Sequence, residues 1–152
     1  MPQSLAKVIV HIVYSTKNRE PWLRDPGLCT ELYAYNATIL KNDVDSPAIL
    51  INGVGDHIHI LCHLSRKFPI KDVIKASKTE TSKWIKKKDP RLKQFQWQSG
   101  YGIFSVSESN VGQVKRYIAN QEEHHKKMTF QDEFREICRR HGIEIDERYV
   151  WD

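Results

Sequence analysis

Residues 48–64, AILINGVGDHIHILCHL, decide the fold, because two apolar runs flank a short turn rich in glycine. This pattern predicts two antiparallel strands, Ala48–Asn52 and His57–Leu64, joined by Gly53-Val54-Gly55-Asp56 as a hairpin. Side chains alternate between the two faces of a strand, so the second strand has one apolar face and one face of histidines. The apolar face carries Ile58, Ile60, Cys62 and Leu64, and the opposite face carries His57, His59 and His63.

Further elements follow on both sides of this hairpin. Periodicity and capping residues predict a strand at Lys7–Ser15 and a helix from Asp25-Pro26-Gly27 to about Asn42. Downstream, the same patterns predict a helix at Ile70–Lys87, a strand at Ile103–Ser107, and helices at Asn110–His125 and Phe130–His141. This order predicts a ferredoxin-like α+β sandwich, an antiparallel sheet with helices on one face, extended by C-terminal helices. We expect residues 1–152 to form a single domain.

Composition favours a soluble cytoplasmic protein. Of the 152 residues, 39% are hydrophobic and 28% are charged, and no apolar run is long enough to span or anchor in a membrane. Cys29, Cys62 and Cys138 are odd in number and widely spaced, which is typical of reduced thiols and lacks the paired spacing of a zinc site.

Positive charge is concentrated in one part of the chain. Eleven Lys or Arg residues and three acidic residues lie between Arg66 and Lys93, although the net charge of the whole chain is only +5. Phosphate neutralisation dominates nucleic-acid affinity, so this segment is a candidate DNA-binding surface, with Lys75 and Lys78 as candidate contacts. A solvated helix face without a partner explains the same charges equally well.

The candidate chemical groups lie on the hairpin and on the predicted helix at 110–125. His57 and His59 share one strand face and can chelate a divalent ion, although an isolated His-x-His pattern is more often without a ligand. At roughly 100° per residue, Gln121 and His124 lie on the same helix edge as Tyr117. A tyrosine there is commonly packing, but with the amide and the histidines it forms a set suited to phosphoryl transfer, with Tyr117 as nucleophile and a divalent metal on the phosphate.

Three segments together resemble a known family. They are Gly55-Asp56-His57-Ile58-His59-Ile60-Leu61, Trp97-Gln98-Ser99-Gly100-Tyr101-Gly102 and Tyr117-Ile118-Ala119-Asn120-Gln121-Glu122-Glu123-His124-His125. In this order and spacing they look like the single-tyrosine HUH (His-hydrophobic-His), or IS200-like, transposases of small insertion sequences. The likeness extends from Ser15-Thr16-Lys17-Asn18-Arg19 to Thr129-Phe130-Gln131-Asp132-Glu133-Phe134.

The resemblance implies a function and a site. It implies that His57, His59 and Gln121 bind Mg²⁺ or Mn²⁺, and that Tyr117 attacks single-stranded DNA to leave a 5′-phosphotyrosine and a free 3′-hydroxyl. It also implies recognition of DNA hairpins at element ends, and a homodimer in which the tyrosine helix of one subunit can complete the His site of the other. It assigns no role to His124 and His125.

Other functions fit the sequence less well. A replication initiator or conjugative relaxase shares the His pair and the tyrosine but usually carries a longer nuclease domain or a helicase domain. A histidine-triad hydrolase needs a third alternating histidine, where this chain has Leu61. A non-catalytic or domesticated nucleic-acid-binding relative with an RNA-recognition-like sheet would need aromatics at open strand positions, and the positions expected to be exposed here are histidines.

Overall fold

Apolar segments form strands in residues 2–152, the part of the chain that the computed structural model describes. The strands are β1 (Ile9–Ser15), β2 (Ala48–Val54), β3 (His57–His63) and β4 (Gly102–Val106). The helices are α1 (Pro26–Val44), α2 (Ile70–Lys88), α3 (Val111–Ala119), α4 (Gln121–His124) and α5 (Phe130–Arg140). None of the helices within residues 2–152 has both the length and the apolar character needed to cross a membrane.

The strands form an antiparallel sheet in the order β2-β3-β1-β4. The central strand β1 pairs with both β3 and β4, so Val13 lies opposite His59 on one side and Gly102 on the other. Together with α1 after β1 and α2 after β3, this order is the ferredoxin-like arrangement. The fold class expected from the sequence is confirmed.

Helices α1 and α2 cover one face of the sheet. Asp25 caps α1, since its carboxylate accepts hydrogen bonds from backbone N–H groups of the first turn, and Pro26 occupies that turn. The apolar face of β3 packs here in the largest buried cluster, together with the inner faces of both helices. The division of β3 into an apolar and a histidine face is therefore confirmed.

The C-terminal helices cover the other face of the sheet, which corrects the expectation that the β3 histidines lie at open positions. Phe130 and Phe134 of α5 bury their rings against Val13 and Phe104. Ile118 of α3 packs in a neighbouring cluster. Because these apolar side chains need burial, α3 and α5 close over the sheet and enclose the histidine face.

The helix expected from Asn110 to His125 is wrong in one respect, because the chain forms two helices separated at Asn120. Asn120 adopts φ −98° and ψ 24°, outside the helical range, and α4 begins at Gln121. The amide Nδ2 of Asn52 on β2 donates to the carbonyl oxygens of Ile118 at 2.9 Å and of Ala119 at 3.4 Å. These bonds satisfy carbonyls that end α3, so the chain can change direction there.

Candidate active site

The histidine face of β3 lies inside a buried polar cluster. His57 and His59 are both 0% exposed, and their ring centroids lie 5.1 Å apart. The Nδ1 atom of His57 lies 2.7 Å from Oδ1 of Asp56, and Nδ1 of His59 lies 2.7 Å from Nε2 of His11 on β1. Both rings thus direct Nε2 into the same space. His63, the third histidine of this face, lies half-buried at the end of the strand.

Glu133, in the first turn of α5, reaches into that space and is only 2% exposed. Its Oε1 atom lies 3.0 Å from Nε2 of His59, 3.0 Å from Nε2 of His125 and 3.1 Å from Nε2 of His57. Burial raises the pKa of this carboxyl, but hydrogen bonds to the three imidazoles outweigh that effect and hold the pKa well below its ordinary value. Glu133 is therefore an ionised buried carboxylate.

The other oxygen of Glu133 binds the two predicted residues of the α3–α4 segment. Oε2 accepts hydrogen bonds from the Tyr117 hydroxyl and, at 3.0 Å, from Nε2 of Gln121. Oε1 of Gln121 lies 3.0 Å from Nε2 of His57. The structure thus brings Tyr117, His57, His59 and Gln121 together within one chain.

Tyr117 also borders open space. Its ring stacks on His124, with centroids 4.6 Å apart and an angle of 28° between the planes. Both side chains line a cavity of about 570 Å³ whose wall also includes Gln113, Arg140 and His141. Burial, followed by the charge of Glu133, raises the pKa of the Tyr117 phenol. The nucleophile candidate is therefore a protonated phenol at neutral pH, hydrogen-bonded to a carboxylate and accessible from a cavity.

The histidines of the cluster differ in how readily they are protonated. Burial disfavours protonation of His57, but hydrogen bonds and charges from Asp56 and Glu133 outweigh it and raise the pKa of His57 to about 9. Burial lowers the pKa of His59 and of His11, despite the nearby carboxylate. Positive charge therefore resides preferentially on the side of the cluster next to Asp56.

The donor chemistry of the cluster fits a divalent metal. One ligand atom from each of His57, His125 and Glu133 lies within 4.8 Å of the others. Imidazole nitrogens and a carboxylate oxygen are common ligands of divalent metals in proteins. Only one member of this group, His57, belongs to the ligand set predicted from the sequence.

Sequence reasoning gave no role to His11, His125 or Glu133. A pattern for Glu133 was present, because it follows Phe130 by three residues and precedes Phe134, which places a carboxylate beside the apolar face of an amphipathic helix. His11 likewise places a polar side chain within an otherwise apolar strand. No local sequence pattern predicts that Glu133 and His11 contact β3, since they are 74 and 48 residues away from His59 in the sequence.

The two candidate DNA-binding lysines lie far from this cluster, on α2, which packs against the opposite face of the sheet. Lys75 is exposed. Lys78 is half-buried, and its ammonium donates to the carbonyl oxygens of Gln98 at 2.8 Å, Ser99 at 3.2 Å and Gly100 at 2.6 Å. Lys78 therefore holds the loop at residues 98–100 in place, whereas Lys75 extends into solvent.

Comparison with known proteins gives a consistent result. Residues 4–121 match the family described as "Transposase IS200 like". A crystal structure from Deinococcus radiodurans R1, described as that of a candidate transposase, superimposes with a TM-score of 0.64 and 25% identity, covering 80% of this chain and 95% of the other. A REP-associated tyrosine transposase bound to a REP hairpin shares the fold, with a TM-score of 0.52, 14% identity, and coverage of 80% and 68%. No curated protein sequence matches the chain.

Proposed function

Since the chain belongs to the IS200-like transposase family, we propose that it cleaves and rejoins single-stranded DNA at the ends of an insertion sequence. In this proposal Tyr117 forms a 5′-phosphotyrosine, and His57, His59 and Gln121 bind a divalent ion, Mg²⁺ or Mn²⁺. Because the proposed substrate is DNA, the proposed reaction would occur in the cytoplasm.

One observation carries the proposal: the Tyr117 hydroxyl and the predicted metal ligands converge on the two oxygens of a single buried carboxylate. A tyrosine used only for packing needs a single neutral partner for its hydroxyl, as Tyr14 has in Ser77 Oγ at 2.7 Å. Here the hydroxyl, the amide of Gln121 and two imidazoles from β3 share one partner, Glu133. Glu133 and Tyr117 both line the cavity, so a phosphate bound there would lie beside the proposed nucleophile and the carboxylate.

The hydrogen bonds suggest how this chain handles the proton. The phenolic oxygen of Tyr117 attacks the phosphorus while the phenolic proton passes to Oε2 of Glu133, which already accepts that hydrogen bond. The new bond joins the tyrosine oxygen to phosphorus, the bond from phosphorus to the 3′-oxygen breaks, and the released 3′-oxygen takes a proton from solvent. Attack by a second 3′-hydroxyl reverses these steps and restores Tyr117. A divalent ion would supply charge neutralisation on the scissile phosphate.

DNA binding is proposed on two grounds. One structural relative is bound to a REP hairpin, which supports a hairpin as the ligand here. The basic segment from Arg66 to Lys93, which includes Lys75 and Lys78, supplies the positive charge. Since α2 and the histidine face lie on opposite sides of the sheet, hairpin binding and cleavage would use separate surfaces.

We propose that the protein forms a homodimer. The family resemblance predicts that the two subunits share their active sites, and this stays a prediction. The geometry does not require sharing, because Tyr117 and His57 meet within one chain through Glu133. Exchange of α3 and α4 between two copies would build the same contacts across an interface.

Covalent capture tests the proposed function. Single-stranded oligonucleotides from the ends of the flanking element, incubated with Mn²⁺ or Mg²⁺, should give a protein–DNA adduct that survives denaturing electrophoresis. Tyr117→Phe should abolish the adduct and leave hairpin binding nearly intact, because only the nucleophilic oxygen is lost. Tyr101→Phe is the matched control, since Tyr101 is 40% exposed and lies outside the cluster. Adducts that persist in Tyr117→Phe and vanish in Tyr101→Phe would contradict the assignment.

A further inference from the structure

His125 and Glu133 lie beyond the residues matched by the family, which end at Gln121, yet both lie at the centre of the cluster. Nε2 of His125 and Oε1 of Glu133 are 3.0 Å apart, and the rings of His125 and His57 lie 4.4 Å apart by centroid. His125 and Glu133 also form, with His57, the group whose ligand atoms all fall within 4.8 Å of one another.

The orientation of the imidazoles is the one that metal ligands adopt. Nδ1 of His57 lies 2.7 Å from the carboxylate of Asp56, and Nδ1 of His125 lies 2.9 Å from the carbonyl oxygen of Met128. Both partners can only accept, so in each ring Nδ1 carries the proton and donates. A histidine that binds a metal through Nε2 almost always donates its other N–H to a carboxylate or a backbone carbonyl in this way.

The third imidazole is held similarly. Nδ1 of His59 lies 2.7 Å from Nε2 of His11, and Nε2 of His59 faces Oε1 of Glu133 at 3.0 Å. Three Nε2 atoms can face one ionised carboxylate oxygen only with protons or a cation between them, because bare lone pairs would repel it. One divalent cation would remove this repulsion for His57, His125 and Glu133, whose ligand atoms lie within 4.8 Å of one another, and Nε2 of His59 lies 3.0 Å from the same Glu133 oxygen.

We propose that His125 and Glu133 are ligands of the divalent ion alongside His57 and His59, and that this three-imidazole, one-carboxylate set selects a transition-metal ion such as Mn²⁺ over Mg²⁺. The preference follows because imidazole nitrogens suit first-row transition metals, whereas Mg²⁺ favours oxygen ligands and water. The inference deepens the proposed function and rests on it for the assumption that one divalent ion binds at His57. It retains the amide oxygen of Gln121, which lies 3.0 Å from Nε2 of His57, as a further ligand. Oε1 of Glu133 would then bind the ion, while Oε2 accepts the hydrogen bond from Tyr117.

Metal binding without DNA tests this proposal. Titration of the purified full chain with Mn²⁺, followed by calorimetry and by the loss of the free Mn²⁺ electron paramagnetic resonance signal, should show one site. Glu133→Gln and His125→Gln should each weaken Mn²⁺ binding by roughly tenfold or more, and Mg²⁺ should displace Mn²⁺ only at large excess. Asp132→Asn and His63→Gln are matched controls, since the first removes the same charge from the neighbouring exposed position and the second the same ring from β3. Both controls should bind Mn²⁺ as the wild type does.

A second measurement on the wild type covers the case in which a buried substitution prevents folding. Electron spin-echo modulation of bound Mn²⁺ should reveal three coordinated imidazoles, whereas a site of His57 and His59 alone would show two. Two imidazoles, or Mn²⁺ affinity that is unchanged or higher in folded Glu133→Gln, would overturn the proposal. Higher affinity would mean that the carboxylate fills the place of the ion. If Mn²⁺ binding follows the proposal but no DNA adduct forms, the proposed function fails and the metal site stands.

Discussion

Asn52→Ala should slow DNA cleavage far more than it destabilises the protein, because Asn52 fixes the break between α3 and α4. Its amide donates to the carbonyl oxygens of Ile118 at 2.9 Å and Ala119 at 3.4 Å, immediately between Tyr117 and Gln121. The shorter bond is of ordinary strength and the longer one is weak, so the expected loss in the free energy of unfolding is about 1 kcal/mol. A domain with several kcal/mol of stability then remains almost entirely folded. Without these bonds α3 can continue toward Gln121, and a shift of about 1 Å in a catalytic group can cost roughly 100-fold in rate.

Two measurements on the same preparations separate these effects. Urea unfolding followed by circular dichroism gives the stability change, and the initial rate of covalent adduct formation on a single-stranded element end gives the catalytic change. Asn42→Ala is the matched control, since Asn42 is exposed on α1 and should change neither quantity. A cleavage rate in Asn52→Ala equal to that of Asn42→Ala, at a measured loss of about 1 kcal/mol, would refute the idea that this amide positions the site.

Three further predictions concern metal, DNA and assembly. His57→Ala should abolish cleavage and Gln121→Ala should reduce it less, and full activity of the wild type in chelator would exclude a metal role. Lys75→Gln should lower the log–log slope of DNA affinity against salt by roughly 0.7 to 0.9. Lys78→Gln should lower this slope too, and should also lower the melting temperature by freeing the loop that its ammonium binds. An unchanged slope in the double variant would exclude α2 from the DNA interface. Mixed dimers of Tyr117→Phe with His57→Ala subunits should stay inactive if each chain builds its own site, as the contacts within one chain indicate, whereas rescue would establish shared sites.

The sequence predicted whatever depends on local periodicity. Alternation along β3 separated His57 and His59 from Ile58 and Ile60 because neighbouring side chains on a strand must point to opposite faces. The start of α1 followed from Asp25 in the same way, since a cap acts within one turn.

The missing parts of the prediction depend on contacts between distant residues. The break at Asn120 is stabilised by Asn52, whose amide contacts a residue 66 positions away. The burial of the histidines depends on α5, because its phenylalanines are removed from water only by packing against the sheet. The sequence indicates Glu133 only as part of a family pattern, because its partners meet it solely in the folded chain.

The hairpin turn connects the fold to the chemistry. A slip of one residue in the pairing of β3 would exchange its faces and place Ile58 where His57 and His59 now meet Glu133. The two-residue turn at Gly55-Asp56 fixes this register, and Gly53 permits it, because a Cβ atom at position 53 would lie 2.2 Å from the carbonyl oxygen of His57. The same turn places the Asp56 carboxylate 2.7 Å from Nδ1 of His57, so that Nε2 faces the cluster. Residues that contribute no atom to the proposed reaction thus determine both which face of the sheet carries the histidines and which nitrogen of His57 can bind an ion.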